Sequence, residues 1–348
     1  MGRTSNVTLV VGRWWGRSPP ATGHFAPSGR SLWCNVMNAL RPFRFGVQAS
    51  NAGSRHEWVT LARQAEALGY SVLTMPDHFD DQLAPVPALM TAADATTELR
   101  IGALVWDNDY KHPVVLAKEL ATMDVLSDGR LEIGIGAGWM IDDYSKAGMQ
   151  YDRPGLRIDR FVEGLAVIKG LMGPDLFSFT GEHYSITEMN GTPKPVQRPC
   201  PPVLIGGGGK RVLSIAAREA DIVGINASMH AGVVGPDAIA TMTAESVDEK
   251  VAIVQAAAGA RIADIEMNVR VFMVQVTDDR EGTVDFLAKA LSVEQQMIET
   301  TPFALVGPPS KLVEDLLERR ERWGISYIIV GGGDVEAFAP VVAELAGK

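Results

Sequence analysis

Residues 100–136 read RIGALVWDNDYKHPVVLAKELATMDVLSDGRLEIGIG, and this stretch decides the fold. It opens with an apolar run that is typical of a buried strand. Pro113 then begins a predicted helix, at a position where the N–H that proline lacks would have no partner. The helix is predicted to end near Leu126, and a second apolar run follows at 130–136. The two strands are predicted to be parallel, because a helix connects them.

The same unit of strand, loop and helix recurs from Phe43 to the end of the chain. Its strands are continuous apolar runs, as expected of parallel strands covered on both faces. Eight βα units are the number that closes a barrel, so we predict an α/β fold, a (β/α)8 TIM-like barrel; an open doubly wound sheet is the alternative. The predicted strands are 43–48, 71–75, 100–106, 130–136, 202–206, 221–225, 267–276 and 326–331.

The predicted helices carry start and stop signals. Ser54 and Glu57 have the spacing of a capping box before the first helix. Gly69 stands where a left-handed residue would end that helix. Two stretches are longer than the repeating unit requires, and we predict insertions there, at 140–200 and 226–265.

Composition and charge exclude several classes of protein. The chain has 348 residues, of which 46% are hydrophobic and 21% charged, a normal globular balance. The net charge of −10 argues against nucleic-acid or anionic-membrane partners, because phosphates would be repelled. No apolar run reaches the roughly 20 residues of a membrane-spanning helix. Two cysteines, Cys34 and Cys200, cannot build a disulfide framework, so we expect a cytoplasmic protein.

Residues 1–40 differ from the rest of the chain. They contain no acidic residue, although the whole chain is acidic, and they show no sustained helical or alternating pattern. We interpret them as an unstructured N-terminal extension, or as the product of an upstream start codon with Met37 as the natural start. The barrel domain is predicted to occupy 41–348.

The chemistry of a (β/α)8 barrel is expected at the carboxyl ends of its strands. Asp77 and His78 directly follow the second predicted strand. A histidine there can shuttle a proton near neutral pH, and an aspartate can orient it. The alternative is an exposed loop pair without a function. We expect no metal site, because no other histidine or carboxylate cluster has the spacing of ligands.

Two glycine-rich stretches follow further strands. Gly136, Ala137 and Gly138 end the fourth strand, where glycines allow the backbone to approach a flat or anionic ligand closely. Their spacing is not that of a dinucleotide fingerprint. The second stretch, GGGGKR at 206–211, leads directly into a helix. Glycines before a helix N-terminus can form an anion site from backbone N–H groups, although a flexible turn is the alternative.

These stretches together resemble the luciferase-like monooxygenase superfamily, and more narrowly its coenzyme F420-dependent oxidoreductases. The similar segments are RFGVQ, MPDHF, the block from His112-Pro113 through LSDGR to the glycine loop, PVLIGGGG and GISYIIVGG. The resemblance extends from about residue 43 to the C-terminus. It implies a luciferase-like barrel in which a deazaflavin lies across the strand ends.

The resemblance also implies roles for particular residues. His78 would be catalytic, and the Asp77–His78 pair would contact the deazaflavin. A non-proline cis peptide near Ala103–Leu104 would support the ring, and the two glycine loops would hold the phosphate-bearing tail. Trp139 stands where sugar-phosphate-oxidising relatives have a glutamate, which predicts a more apolar substrate face. The implied cofactor-binding residues are Asp77, His78, Ala103, Leu104, Gly136, Ala137, Gly138, Gly207, Gly208 and Gly209.

The function that these features favour is hydride transfer between C5 of F420 and an unidentified small organic substrate. Two alternatives remain: an FMN-dependent monooxygenase on the same barrel, and a non-catalytic flavin- or F420-binding protein. A Schiff-base lyase is disfavoured, because no predicted strand ends in a suitable lysine. Relatives are commonly dimers, so we expect a homodimer.

Overall fold

The computed structural model of the chain describes residues 40–348, so the expectations about residues 1–39 lie outside it. Its strands, in chain order, are β1 (Arg44–Gln48), β2 (Val72–Met75), β3 (Arg100–Ala103), β4 (Trp106–Asp107), β5 (Leu131–Gly136), β6 (Phe177–Thr180), β7 (Ser185–Met189), β8 (Val203–Gly207), β9 (Ile222–Ile225), β10 (Glu266–Arg270), β11 (Met273–Val276), β12 (Ala304–Gly307) and β13 (Ile325–Gly331).

The helices alternate with the strands through most of this range. They are α1 (Arg55–Ala67), α2 (Pro85–Ala95), α3 (Pro113–Leu126), α4 (Ile141–Ala147), α5 (Pro154–Met172), α6 (Lys210–Glu219), α7 (Pro236–Ala240), α8 (Ala244–Ala258), α9 (Arg280–Leu291), α10 (Gln295–Thr300), α11 (Pro309–Trp323) and α12 (Val335–Leu345).

Eight parallel strands close into a barrel, which confirms the predicted fold class. Around the barrel they follow the order β1, β2, β3, β5, β8, β9, β10 and β13, and β13 pairs with β1 to close the ring. All six residues of β5 are buried. A Cβ on Gly134 would come within 1.9 Å of the Ala103 carbonyl oxygen, so a glycine is required where β5 approaches β3.

The predicted signals of the first helix have physical counterparts. Ser54 caps α1, because its Oγ accepts a hydrogen bond from the Glu57 N–H at 3.2 Å. The Glu57 carboxylate accepts from Gly53 N at 2.8 Å instead of from Ser54 N, so half of the predicted capping box forms. Gly69 follows the helix with φ of +86°, as its position predicts.

Two predicted strands are divided in the structure. The third, 100–106, is interrupted by a cis peptide between Leu104 and Val105, and its last part is β4, which pairs with β5. The seventh, 267–276, leaves the barrel after Arg270. Its second half is β11, which pairs with β12 and not with a barrel strand. A continuous apolar run concealed both breaks.

Residues 271–307 therefore form an excursion segment between β10 and α11, and this third insertion was not predicted. The segment contains β11, α9, α10 and β12. It has a small hydrophobic cluster of its own, separate from the main core, in which Val284, Ala288 and Ile298 are buried. The excursion segment is thus packed partly around its own interior.

An ion cluster fills the amino end of the barrel. Arg44 contacts Glu132 and Glu266, each at 2.6 Å, and Arg100 contacts Glu132 at 2.8 Å. The Arg44 guanidinium also lies 3.6 Å from the centre of the Tyr327 ring. These ion pairs connect four strands, β1, β3, β5 and β10, at the end of the barrel opposite to the expected site.

Candidate active site

A cavity of about 860 Å³ opens at the carboxyl ends of the barrel strands. Its volume lies within the range of small-molecule sites, which is roughly 300–1,000 Å³. Gln48 of β1, Gly136 of β5, Gly207 of β8 and Arg270 of β10 all contribute to its wall. The cavity therefore lies where the barrel fold predicts chemistry.

His78 lies in the cavity wall and is held through one ring nitrogen. Its Nδ1 is 2.6 Å from Asp143 Oδ2, and its side chain is 19% exposed. With Asp143 ionised, Nδ1 must carry the proton that this hydrogen bond requires. Nε2 is then left as a proton acceptor in the neutral ring. The Trp139 ring packs edge-on against the imidazole, with 5.6 Å between the ring centres.

Asp143 anchors this corner of the site and was missed by the sequence analysis. It is buried near the start of α4, where its carboxylate also accepts hydrogen bonds from Phe79 N at 3.2 Å and Tyr110 Oη at 2.9 Å. It lies 65 residues after His78 in the chain. The signal that could have found it is an acidic residue in the first turn of the helix that follows the glycine loop.

Two further carboxyls line the cavity, those of the partly buried Asp77 and the buried Asp107. Burial raises the pKa of Asp77, which accepts a hydrogen bond from Asp107 N at 3.3 Å. Burial also raises the pKa of Asp107 to about 7, and the neighbouring charges of Asp109 and Asp77 add to the shift. The hydroxyl of Tyr144 donates to Asp107 Oδ2 at 3.0 Å.

The glycine loops lie where the sequence predicted, although two of the implied residues stand behind the wall. Asp77, His78, Leu104, Gly136, Ala137, Gly138, Gly207 and Gly209 line the cavity. Ala103 is buried in β3, and a Cβ on Gly208 would meet the Ala227 carbonyl oxygen at 2.3 Å. The predicted cis peptide is present one residue later than expected, at Leu104–Val105.

Arg157 is the buried cation on the glycine-loop side of the cavity. It lies in the first turn of α5, is 3% exposed, and its guanidinium lies 4.0 Å from the centre of the Tyr151 ring. Nη1 donates to the Asp152 carbonyl at 3.2 Å, whereas the buried Nε has no partner among residues 40–348. A helix N-terminus and a partly unsatisfied arginine together favour an anion at this position.

The basic residues after the second glycine stretch point elsewhere. Lys210 is exposed, and Arg211 pairs with Asp159 and donates to the Gly155 carbonyl on the outer surface. Neither side chain lines the large cavity. These two side chains therefore do not contribute to an anion site in the cavity.

A polar chain crosses the floor of the cavity. Gln48 Nε2 donates to the Leu104 carbonyl at 3.0 Å, and Gln48 Oε1 accepts from Arg270 Nε at 2.8 Å. Sequence reasoning missed both residues, although each stands at the carboxyl end of a barrel strand, which is the available signal.

The sequence profile of the luciferase-like monooxygenase family matches residues 37–327. The chain belongs to this family. Luciferase-like proteins include oxidoreductases that use F420 and monooxygenases that use FMN, and both kinds are among the relatives of this chain.

Two curated relatives illustrate the range of the family. One is the F420-dependent glucose-6-phosphate dehydrogenase of Amycolatopsis mediterranei, 29% identical over 188 residues that cover 51% of this chain and 55% of the relative. The other is the FMNH2-dependent dimethylsulfone monooxygenase of Pseudomonas putida, 28% identical over 187 residues that cover 51% of each. The chain thus matches about half the length of these relatives.

A solved structure shows the same fold. The coenzyme F420-dependent tetrahydromethanopterin reductase of Methanopyrus kandleri superimposes with a TM-score of 0.71 at 18% identity, covering 87% of this chain and 98% of that one. Within residues 40–348, no helix is long and apolar enough to cross a bilayer. The same residues contain no group of three or more histidine, cysteine or acidic side chains that could hold a metal ion.

Proposed function

We propose that the protein is an F420-dependent oxidoreductase that transfers a hydride between the deazaflavin C5 and a small organic substrate. The observation that carries the proposal is the Asp77–His78 pair in the cavity wall, with the His78 ring fixed by Asp143. The resemblance to F420-dependent relatives implies that this pair contacts the deazaflavin. Hydride transfer on the substrate needs a proton acceptor or donor, and His78 is suited to that task.

The cavity fits a flat cofactor that carries a phosphate. Its volume is sufficient, and the partnerless Nε of Arg157 at the start of α5 offers a donor to a phosphate oxygen. F420 would supply the hydride acceptor or donor. The residues proposed to hold it are Asp77, His78, Leu104, Gly136, Ala137, Gly138, Arg157, Gly207 and Gly209, while Ala103 and Gly208 shape the wall from behind.

His78 is proposed to move the substrate proton at Nε2. When the substrate is oxidised, Nε2 takes the hydroxyl proton, and the imidazolium that forms is stabilised by Asp143 at Nδ1. In the reverse direction the imidazolium returns this proton. Trp139, packed on the imidazole, helps to exclude water from the transfer.

The deciding experiment titrates the purified protein with F420 and with FMN and follows the fluorescence of each. We expect tight binding of F420. Tight FMN binding without F420 binding would replace the proposal with an FMN-dependent monooxygenase. Binding of F420 without turnover on any alcohol, aldehyde or ketone of a panel would favour the non-catalytic carrier.

Replacement of His78 by alanine tests the proposed proton transfer. We expect turnover to fall by about 10²–10⁴-fold, the usual contribution of a general acid or base, with a much smaller change in cofactor affinity. Turnover is measured by F420 absorbance and affinity by fluorescence. Unchanged turnover would remove His78 from the mechanism.

The assembly and location proposed for the protein follow the family resemblance and the charge of the chain. We propose a cytoplasmic homodimer that acts on a small-molecule substrate and has no nucleic-acid or membrane partner. Light scattering of the purified protein tests the dimer.

A further inference from the structure

One side of the cavity combines an arginine that lacks an acidic partner with an apolar wall. Arg270 is the last residue of β10, and the excursion segment begins directly after it. Its Nε donates to Gln48, whereas its buried Nη1 has no hydrogen-bond partner among residues 40–348. In the same range the guanidinium forms no salt bridge. The Arg270 guanidinium is therefore a hydrogen-bond donor that has no anionic acceptor among residues 40–348.

The apolar wall beside Arg270 comes from the excursion segment. The Phe272 ring is 48% exposed, and its centre lies 5.6 Å from the Arg270 guanidinium carbon. The other wall residues are Met273, Leu291, Val293, Met297 and Ile298. An arginine and a largely apolar surface, which also includes Thr301, thus face the same space.

A partly buried guanidinium without a salt-bridge partner is costly, and a bound anion would reduce that cost. The desolvation is large enough to lower the pKa of Arg270 to about 10. Asp334 is the acidic neighbour, and its carboxylate already accepts a hydrogen bond from Gly331 N at 3.2 Å. The planar fork of a guanidinium matches a carboxylate in particular, because two N–H groups can donate to its two oxygens.

Arg270 and the proposed phosphate position belong to different strands, because β8 and β9 lie between β10 and β5 in the barrel order. In the barrel order, β10 and β1 flank β13, and β13 stands opposite β5, which ends in the glycine loop near Arg157. The two arginines therefore serve different sides of the strand-end surface. One anion held at Arg157 would leave Arg270 without a partner.

We propose that the substrate is an organic acid with an apolar body, whose carboxylate binds Arg270 and whose body lies against the wall of the excursion segment. This inference rests on the proposed function for assigning the Arg157 side of the cavity to the cofactor. A carboxylate at Arg270 could come from the substrate or from an acidic cofactor tail, and the experiment separates these two sources.

The test measures binding of octanoate and of its neutral methyl ester to the purified protein by calorimetry, without added cofactor. We expect octanoate to bind at least about tenfold more tightly than the ester, because a charge-assisted hydrogen bond is at stake. Arg270→Gln should abolish this preference, and Arg270→Lys should restore part of it. Arg322→Gln is the control, since Arg322 pairs with Asp248 at the surface and should leave the preference intact.

Three results would overturn the inference. The first is an equal affinity of the unaltered protein for octanoate and its ester, or no binding of octanoate at millimolar concentration. The second is an unchanged preference in Arg270→Gln. The third is a loss of F420 affinity in Arg270→Gln with FMN affinity retained, which would assign Arg270 to the acidic tail of F420, because FMN carries no carboxylate. Failure of the proposed function is distinguishable: neither cofactor would bind the unaltered protein, whereas the octanoate preference would remain.

Discussion

Asp143 is the residue that holds the His78 ring in place, through a hydrogen bond to Nδ1. Asp143→Asn removes the charge that would stabilise an imidazolium, so we expect turnover to fall about tenfold or more while cofactor affinity changes little. Steady-state kinetics and a fluorescence titration measure the two effects separately.

Asp142→Asn is the matched control for this substitution. Asp142 is the preceding residue, but its exposed side chain pairs with Lys146 and does not reach the histidine. Asp142→Asn should leave turnover and cofactor affinity unchanged. Equal effects of the two substitutions would contradict the assigned role of Asp143.

At the residue scale, sequence position was informative where a side chain follows a strand directly. Asp77 and His78 could be placed at the barrel mouth because they come immediately after β2. Asp143 could not be assigned as the partner of His78, since the two meet only when α4 packs beside β2. Arg270 was concealed in an apolar run that was interpreted as one strand.

The connection from β5 to α4 depends on a glycine, Gly138, whose replacement should destabilise the folded protein. Gly138 has φ of +72°, and a Cβ there would lie 1.9 Å from Tyr144 Oη and 2.6 Å from Asp107 Oδ2. Gly138→Ala should lower the melting temperature and weaken F420 or FMN binding, because Tyr144 and Asp107 must move. Thermal unfolding and cofactor titration measure the two effects.

Gly148→Ala separates backbone strain from collision. Gly148 has a similar φ of +70°, but no atom lies within 4 Å of its added Cβ. Gly148→Ala should lower the free energy of unfolding by only about 1–2 kcal/mol, the cost of a left-handed backbone at a non-glycine residue. Cofactor binding should be retained. If Gly148→Ala weakened cofactor binding as much as Gly138→Ala, the collision argument would fail.

The first turn of α5 is proposed to hold the cofactor phosphate through Arg157. Arg157→Gln should weaken FMN binding about 10- to 100-fold, as expected for loss of a hydrogen bond to a charged group, and should leave riboflavin binding nearly unchanged because riboflavin has no phosphate. Fluorescence titration with both ligands gives the ratio. Lys210→Gln is the control, because Lys210 is exposed outside the cavity and should alter neither affinity.

Elements with capping and proline signals could be predicted closely, and broken elements could not. Pro113 begins α3 and Leu126 ends it, as the sequence indicates. The break after Arg270 arises from backbone pairing: Val271 N donates to the Ile329 carbonyl, and Phe272 N turns to the Phe303 carbonyl. The hydropathy pattern does not show this change of backbone hydrogen-bond partner.

The whole molecule separates stability from chemistry at opposite ends of the barrel. Burial disfavours the ionised form of Glu132, but the charges of Arg44 and Arg100 outweigh this effect and lower its pKa. Glu132→Gln leaves Arg100 without its carboxylate and Arg44 with Glu266 alone, and should cost about 3 kcal/mol at pH 7, the lower end for a broken buried pair. Urea unfolding measures this cost, and cofactor affinity of the folded variant should be unchanged.

The same carboxylate predicts how stability depends on acid. A pKa that is lower in the folded state stabilises the protein above the unfolded value of about 4.3, and this stabilisation is lost as pH falls through the folded pKa. Glu132→Gln should therefore flatten the loss of stability at acidic pH. Glu344→Gln, at an exposed pair with Lys348, should leave both the midpoint and its pH dependence unaltered.

At the scale of the molecule, the barrel was predictable because eight apolar runs recur with helices between them. The site was predictable only in part, since its polar partners come from strands that meet when the barrel closes. The fold could thus be predicted from periodicity, whereas much of the cavity depends on long-range contacts that a sequence pattern does not show.

The excursion segment has a sheet of its own outside the barrel sheet, and it borders the cavity. Its strands pair with each other, its small interior is its own, and it supplies one wall of the cavity. Changes at its cavity-lining residues, such as Leu291 and Met297, can therefore alter the ligand site without touching the pairing of the eight barrel strands. In terms of design, the segment is a part of the cavity wall whose side chains can be exchanged while the strand-end residues around His78 stay in place.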